Sequence, residues 1–122
     1  MVIYEVNLAI APDRVNAYSA WLEEHVREML DLDGFGSAAL YARSDSDDAA
    51  GLSEEAEAPE RVPEGDRHWT VHYHLESREA LDRYLEEDAE RMHEKGADRF
   101  GDQVSAERRV LESRKVFSHQ ER

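Results

Sequence analysis

The chain has 122 residues, with 29 acidic and 15 basic side chains, a formal net charge of −14 and no cysteine. One domain with a single core fits that length, and the missing thiol excludes disulfides, thiol nucleophiles, iron–sulfur clusters and cysteine-ligated zinc. So acidic a surface repels nucleic-acid phosphates and anionic lipids, no apolar run reaches the length of a membrane span and the N-terminal residues lack a secretory signal, so the expectation is a cytoplasmic protein that binds neither nucleic acid nor membrane.

The first predicted element is a strand. Val2, Tyr4, Val6, Leu8 and Ile10 alternate with Ile3, Glu5, Asn7 and Ala9, which puts the first set on a helix-covered face and the second on the open one. Pro12 suits the first turn of a helix, where its missing N–H is not needed. Val15, Tyr18, Trp21, Leu22, Val26, Met29 and Leu30 then recur at helical spacing, predicting a helix over residues 13–32. Gly34 ends it by taking the left-handed cap conformation. A second strand follows over 35–43, and its poor alternation predicts two partly buried faces. Residues 45–66 lose all periodicity and hold nine acids, one arginine, Pro59 and Pro63. That composition describes a solvated acidic loop inserted between two antiparallel strands, and its spacing does not match a calcium-binding EF-hand loop. Only Lys95 and Lys115 among the basic residues are lysines. An acidic, arginine-rich surface fits a salty cytoplasm, where salt screens self-repulsion; one acidic loop on an ordinary surface accounts for the same charge.

In the third strand, 68–75, Trp69, Val71, Tyr73 and Leu75 share one face, and His68, Thr70, His72 and His74 the other. Ser77 is placed to cap a second long helix over 78–95, with Leu81, Tyr84, Leu85, Asp88 and Met92 at helical spacing. Gly96 is expected to break it, with a further turn before Gly101. A last strand over 104–116 and a polar, frayed tail from Ser118 complete the chain. The order β-α-β-β-α-β is the ferredoxin-like split βαβ motif. The fold class is therefore α+β: a four-stranded antiparallel sheet with two helices on one face, forming a single domain over 1–117 with a tail over 118–122. Strands one and three are expected as parallel neighbours at its centre.

With the apolar sets turned to the helices, the open face presents Glu5 and Asn7 beside Thr70, His72 and His74. The last strand adds Arg108 or Arg109, depending on register. Two readings compete for this patch. As a pocket, its candidate residues are Glu5, Asn7, Thr70, His72, His74 and Arg109. His-x-His on a strand holds both imidazoles on one side, roughly 7 Å apart, so the pair can share a metal with Glu5 as third ligand or general base. That spacing alone is a nonspecific signal, and no metal and no cofactor are expected. As an interface, the same polar groups pair one sheet with a copy of itself. Of the other histidines, His25 is read as packed or at a boundary, His93 as solvated and His119 as part of the tail. No serine lies in a Gly-x-Ser-x-Gly setting and no phosphate-binding glycine loop is complete. Tyr18, Trp21, Trp69 and Tyr84 fall at core spacing.

Several segments together carry a resemblance: 1–6, Trp21-Leu22, Met29-Leu30, Gly34-Phe35, 75–81, Tyr84-Leu85, 99–101 and 108–111. They resemble a small bacterial domain-of-unknown-function family, family 4286, within the dimeric α+β barrel superfamily. The resemblance spans nearly the whole chain except the acidic loop and the tail, and the chain departs from it at His72, His74 and the insertion. It implies a homodimer built through the open sheet faces, with no assigned activity or catalytic residues. The wider superfamily includes cofactor-independent monooxygenases of the antibiotic-biosynthesis type, haem-handling enzymes, lactone isomerases and effector-binding domains; for haem, His72 or His74 would be the axial ligand. The expected function is a homodimeric small-molecule-binding or interaction module. The alternative is a cofactor-independent enzyme acting on a small organic compound inside the barrel, with Glu5 or His72 as base and Asn7 and Arg109 orienting substrate.

Overall fold

The computed structural model describes residues 1–43 and 65–119. Most of the expected acidic loop, and the last three residues of the expected tail, lie outside them. Strand β1 (Val2–Ile10) leads through a short turn at Pro12–Arg14 into helix α1 (Val15–Leu30), then β2 (Phe35–Ala42), β3 (Arg67–Leu75), α2 (Arg78–Glu87), α3 (Ala89–Phe100) and β4 (Val104–Glu112). The strands form one sheet in the order β2-β3-β1-β4, and every neighbouring pair is antiparallel. This is the expected ferredoxin-like α+β fold. Among the described residues, no helix is long and apolar enough to cross a membrane.

The alternation in β1 is realised as read. Val2, Tyr4, Leu8 and Ile10 are buried, together with Val71, Tyr73 and Leu75 of β3, beneath Leu22, Met29, Leu81, Tyr84 and Met92 of the helices. Burying a side chain of this size contributes about 1.5–3 kcal/mol, so this layer carries most of the cohesion. Around Tyr4 and Tyr84 the rings pack edge to face, 5.6 Å apart, with Phe35 5.2 Å from Tyr84.

Five details differ from the sequence reading. β1 and β3 are central neighbours but antiparallel, with Glu5 opposite His72 and Asn7 opposite Thr70. The α1 crossover sets β2 running the same way as β1, and the next reversal turns β3 against both. The second helix is two segments that meet at Asp88, whose backbone (φ −125°, ψ −23°) leaves helical geometry; aspartate is a poor helix-interior residue, and here Arg91 holds its carboxylate at 2.8 Å. Gly96 does not break α3. A Cβ there would stand 3.1 Å from the Trp21 ring, so this glycine lets α1 and α3 approach closely, and the helix ends at Gly101 (φ +58°). Finally, β4 ends at Glu112, and β2 is an exposed edge strand with only Phe35 buried.

Two local signals hold. Gly34 has φ +91° as it leaves α1, with Ala80 packed against it, and the Ser77 hydroxyl accepts from Ala80 N–H at 3.1 Å to cap α2.

Candidate functional site

The register resolves the open face. Arg109 stands opposite Glu5, whereas Arg108 stands opposite Val6 and belongs to the helix side. Glu5 is 5% exposed, although among the described residues no helix covers it. Its carboxylate accepts from Asn7 Nδ2 at 2.9 Å, His72 Nε2 at 2.8 Å, Arg109 Nε at 2.6 Å and Arg109 Nη2 at 2.5 Å. Thr70 donates to Asn7 at 2.7 Å and completes the network. Burial pushes the Glu5 pKa up, but the hydrogen bonds from Asn7, His72 and Arg109 and the charge of Arg109 outweigh it and bring the pKa down to about 2. Five of the six sequence-predicted residues therefore converge. The sixth, His74, lies apart and shares a 3.0 Å hydrogen bond with Ser37. Among the described residues, no three His, Asp or Glu side chains are placed to hold a metal ion.

This network is well suited to fixing three strands, β1, β3 and β4, and poorly suited to proton transfer. A carboxylate with pKa near 2 is a weak base at neutral pH, and its hydrogen-bonding capacity is already committed. Around it, Ala39, Tyr41 and Leu111 also fall on the open face by register, and the Tyr41 and His72 rings meet at 5.3 Å.

The opposite side of the sheet holds what the sequence reading missed. A cavity of about 260 Å³ lies between β1, β4, α1 and α3. Tyr4, Tyr18, Trp21 and Tyr84 wall it, Met29 and Met92 lie among them, and it opens towards the exposed Ala97 and Arg108. Protein interiors rarely leave a void larger than a water molecule. The Gly96 contact sets how near α3 comes to the Trp21 ring, and His25 stacks on that ring at 4.5 Å.

Two imidazoles belong to the wall. Burial drives His25 down to a pKa of about 4, against the opposing effect of the Glu28 carboxylate. Its Nδ1 is buried without a hydrogen-bond partner among the described residues, as is the Tyr84 hydroxyl; Glu28 Oε1 is 4.0 Å from Nδ1, too far to accept. His93, expected in solvent, is half-buried with Nε2 3.4 Å from the Tyr4 hydroxyl, and burial lowers its pKa as well. Both are neutral at pH 7. Burial also raises all four cavity-side phenols, Tyr18 to about 12. The aromatics satisfied the core pattern, so the pattern could not reveal a void. One signal was present in the sequence: Val104, Ala106, Arg108 and Val110 share a face of β4, and Arg108 is the charge that interrupts it.

A family model described as "Domain of unknown function (DUF4286)" matches residues 1–114. No curated protein matches the chain. Among solved structures, a candidate antibiotic biosynthesis monooxygenase from Deinococcus radiodurans superposes with a TM-score of 0.66 at 12% identity, covering 98% of this chain and 99% of the other. SnoaB, a cofactor-independent oxygenase from Streptomyces nogalater, gives 0.61 at 11% identity over 97% and 98%. The de novo designed protein Foldit4 gives 0.54 at 13% over 93% and 98%. At these identities the likeness is one of fold, and a designed protein shares it.

Proposed function

The chain belongs to the DUF4286 family, and from that premise we propose that it is a homodimeric small-molecule-binding module. Its open sheet face pairs with a second copy, and its helix-side cavity takes a small aromatic ligand. The cavity carries the reading: about 260 Å³ inside the helix–sheet layer, walled by tyrosine and tryptophan rings. That is somewhat below the roughly 300–1,000 Å³ of pockets for drug-sized ligands, which sets the ligand at a few fused rings or fewer. The Glu5 network supports the pairing. It presents a satisfied, shape-defined polar surface in mid-sheet, where an isolated one-sided sheet has no use for a buried carboxylate.

A second reading, an enzyme of the cofactor-independent oxygenase kind, is favoured by one observation. His93 is neutral and lines the cavity with Nε2 3.4 Å from the Tyr4 hydroxyl; with Nε2–H donating to that oxygen, Nδ1 is left to take a proton from a bound aromatic. In this reading it replaces Glu5 and His72 as the base, and SnoaB offers a precedent of fold. Native mass spectrometry with excess naphthol tests the main proposal. The expected species is a dimer carrying one naphthol per chain. A monomer refutes the pairing, and a dimer without naphthol refutes the binding cavity. Consumption of oxygen on incubation with naphthol, lost in His93→Phe, would favour the enzyme.

A further inference from the structure

We propose that the helix-side cavity selects small aromatic acids, with the Arg108 guanidinium at its mouth receiving the carboxylate while the ring system enters among the aromatic walls. This deepens the reading of the cavity as a binding site and rests on it.

Charge is the first ground. The chain carries 29 acidic residues, and a surface of that sign repels anions at a distance. Yet among the described residues none that lines the cavity is aspartate or glutamate, and one, Arg108, is a permanent cation. An acid-free aromatic wall with a single arginine is the reverse of the chain's overall composition.

Availability is the second. Arg109, one residue along, is locked onto Glu5 on the open face. Arg108, placed on the other side by the alternation of β4, has no ion pair among the described residues. It is exposed where it meets solvent and lines the cavity where it meets the wall. A guanidinium presents paired N–H donors that match a carboxylate in two-pronged geometry, and it is weakly hydrated enough to do so at a cavity mouth.

Reach is the third. Although burial raises the phenol pKa values of Tyr4, Tyr18, Tyr73 and Tyr84, the Arg108 charge opposes that rise in each, and it adds to the lowering of His25 and His93. Its field therefore extends over the cavity. Because both imidazoles stay neutral, Arg108 is, among the described residues that line the cavity, the cation an incoming acid meets.

The test compares a naphthoate with the naphthamide substituted at the same ring position, an uncharged molecule of nearly the same shape. Isothermal titration calorimetry at pH 7.5 and low salt is expected to show naphthoate binding at least about tenfold more tightly, the scale of one charge-assisted hydrogen-bonded contact. In Arg108→Gln the preference should fall to within about twofold, because naphthoate loses much more affinity than naphthamide; the site lies on an exposed edge strand, where the substitution leaves the core intact. Equal affinities in the parent protein overturn the acid selectivity and leave the cavity standing as a binding site. Failure of both compounds to bind overturns the cavity reading too. Equal loss of both ligands in Arg108→Gln shows that the residue shapes the mouth rather than recognising charge, and overturns the assignment.

Discussion

Replacing Glu5 by glutamine keeps the side chain's shape and removes its charge, so it isolates what the open-face network contributes. Glu5 is held at a pKa of about 2, against a reference value of 4.5, even though its burial acts the other way. A depression of that size corresponds to about 3 kcal/mol at pH 7. Arg109 is 66% exposed in its side chain, and solvent screening of that partner brings the expected loss to about 2–3 kcal/mol. The sign follows from the depressed pKa. The contribution is fully present above about pH 5 and disappears as the pH falls from the unfolded value towards the folded one, with about half gone near pH 3. Urea unfolding of Glu5→Gln and the parent, at one protein concentration and ionic strength, should therefore show a gap that is widest at neutral pH and closes in acid. Changes in self-repulsion of the acidic chain affect both proteins alike and drop out of the difference. A gap that stays constant from pH 7 to pH 3, or one smaller than about 0.5 kcal/mol at pH 7, refutes the network as described.

Three further perturbations test the scaffold that carries the cavity. Gly34→Ala combines a positive φ of +91° with a Cβ 2.5 Å from that of Ala80, so thermal unfolding should show a loss of about 2–4 kcal/mol; an unchanged transition contradicts the packing of α2 on the α1–β2 turn. Ser77→Ala removes the cap on α2 and should cost about 1 kcal/mol, with faster amide exchange at Ala80 as the local readout. Leu81→Ala, at a site with no exposure at all, should cost about 2–5 kcal/mol, and a loss under about 1 kcal/mol means the core beneath α2 is not closed.

The sheet faces were legible because period-two alternation in 2–10 and 69–75 depends on nothing beyond the strand itself. Ser77 and Gly34 were legible for the same reason, since a cap and a positive φ are local requirements. What escaped the sequence is whatever depends on two elements meeting. Gly96 resembles a helix breaker until Trp21 is seen lying against it. The choice between Arg108 and Arg109 needed the register of β4 on β1, and once that is fixed each arginine has a different role. The open-face cluster of Glu5, Asn7, Thr70, His72 and Arg109 could be anticipated from alternation alone, but its hydrogen bonds, and the separation of His74 from it, could not. The cavity was the least legible feature. Tyr18, Trp21, Tyr84 and Met92 fit a packed core as well as a hollow one, because spacing reports which face a residue occupies and not how completely that face is filled.

The cavity's role as a binding site can be read directly from the methionines. Met29 and Met92 line it, at 2% and 1% exposure, whereas Met1 is 65% exposed at the far end of β1. With the three methyl groups carbon-13 labelled, titration with naphthoate should shift the Met29 and Met92 resonances strongly through the ring current of the bound aromatic and leave Met1 where it was. Saturable binding that leaves both buried methyls unmoved, or moves Met1 alone, would place the ligand outside the helix–sheet layer and contradict the account.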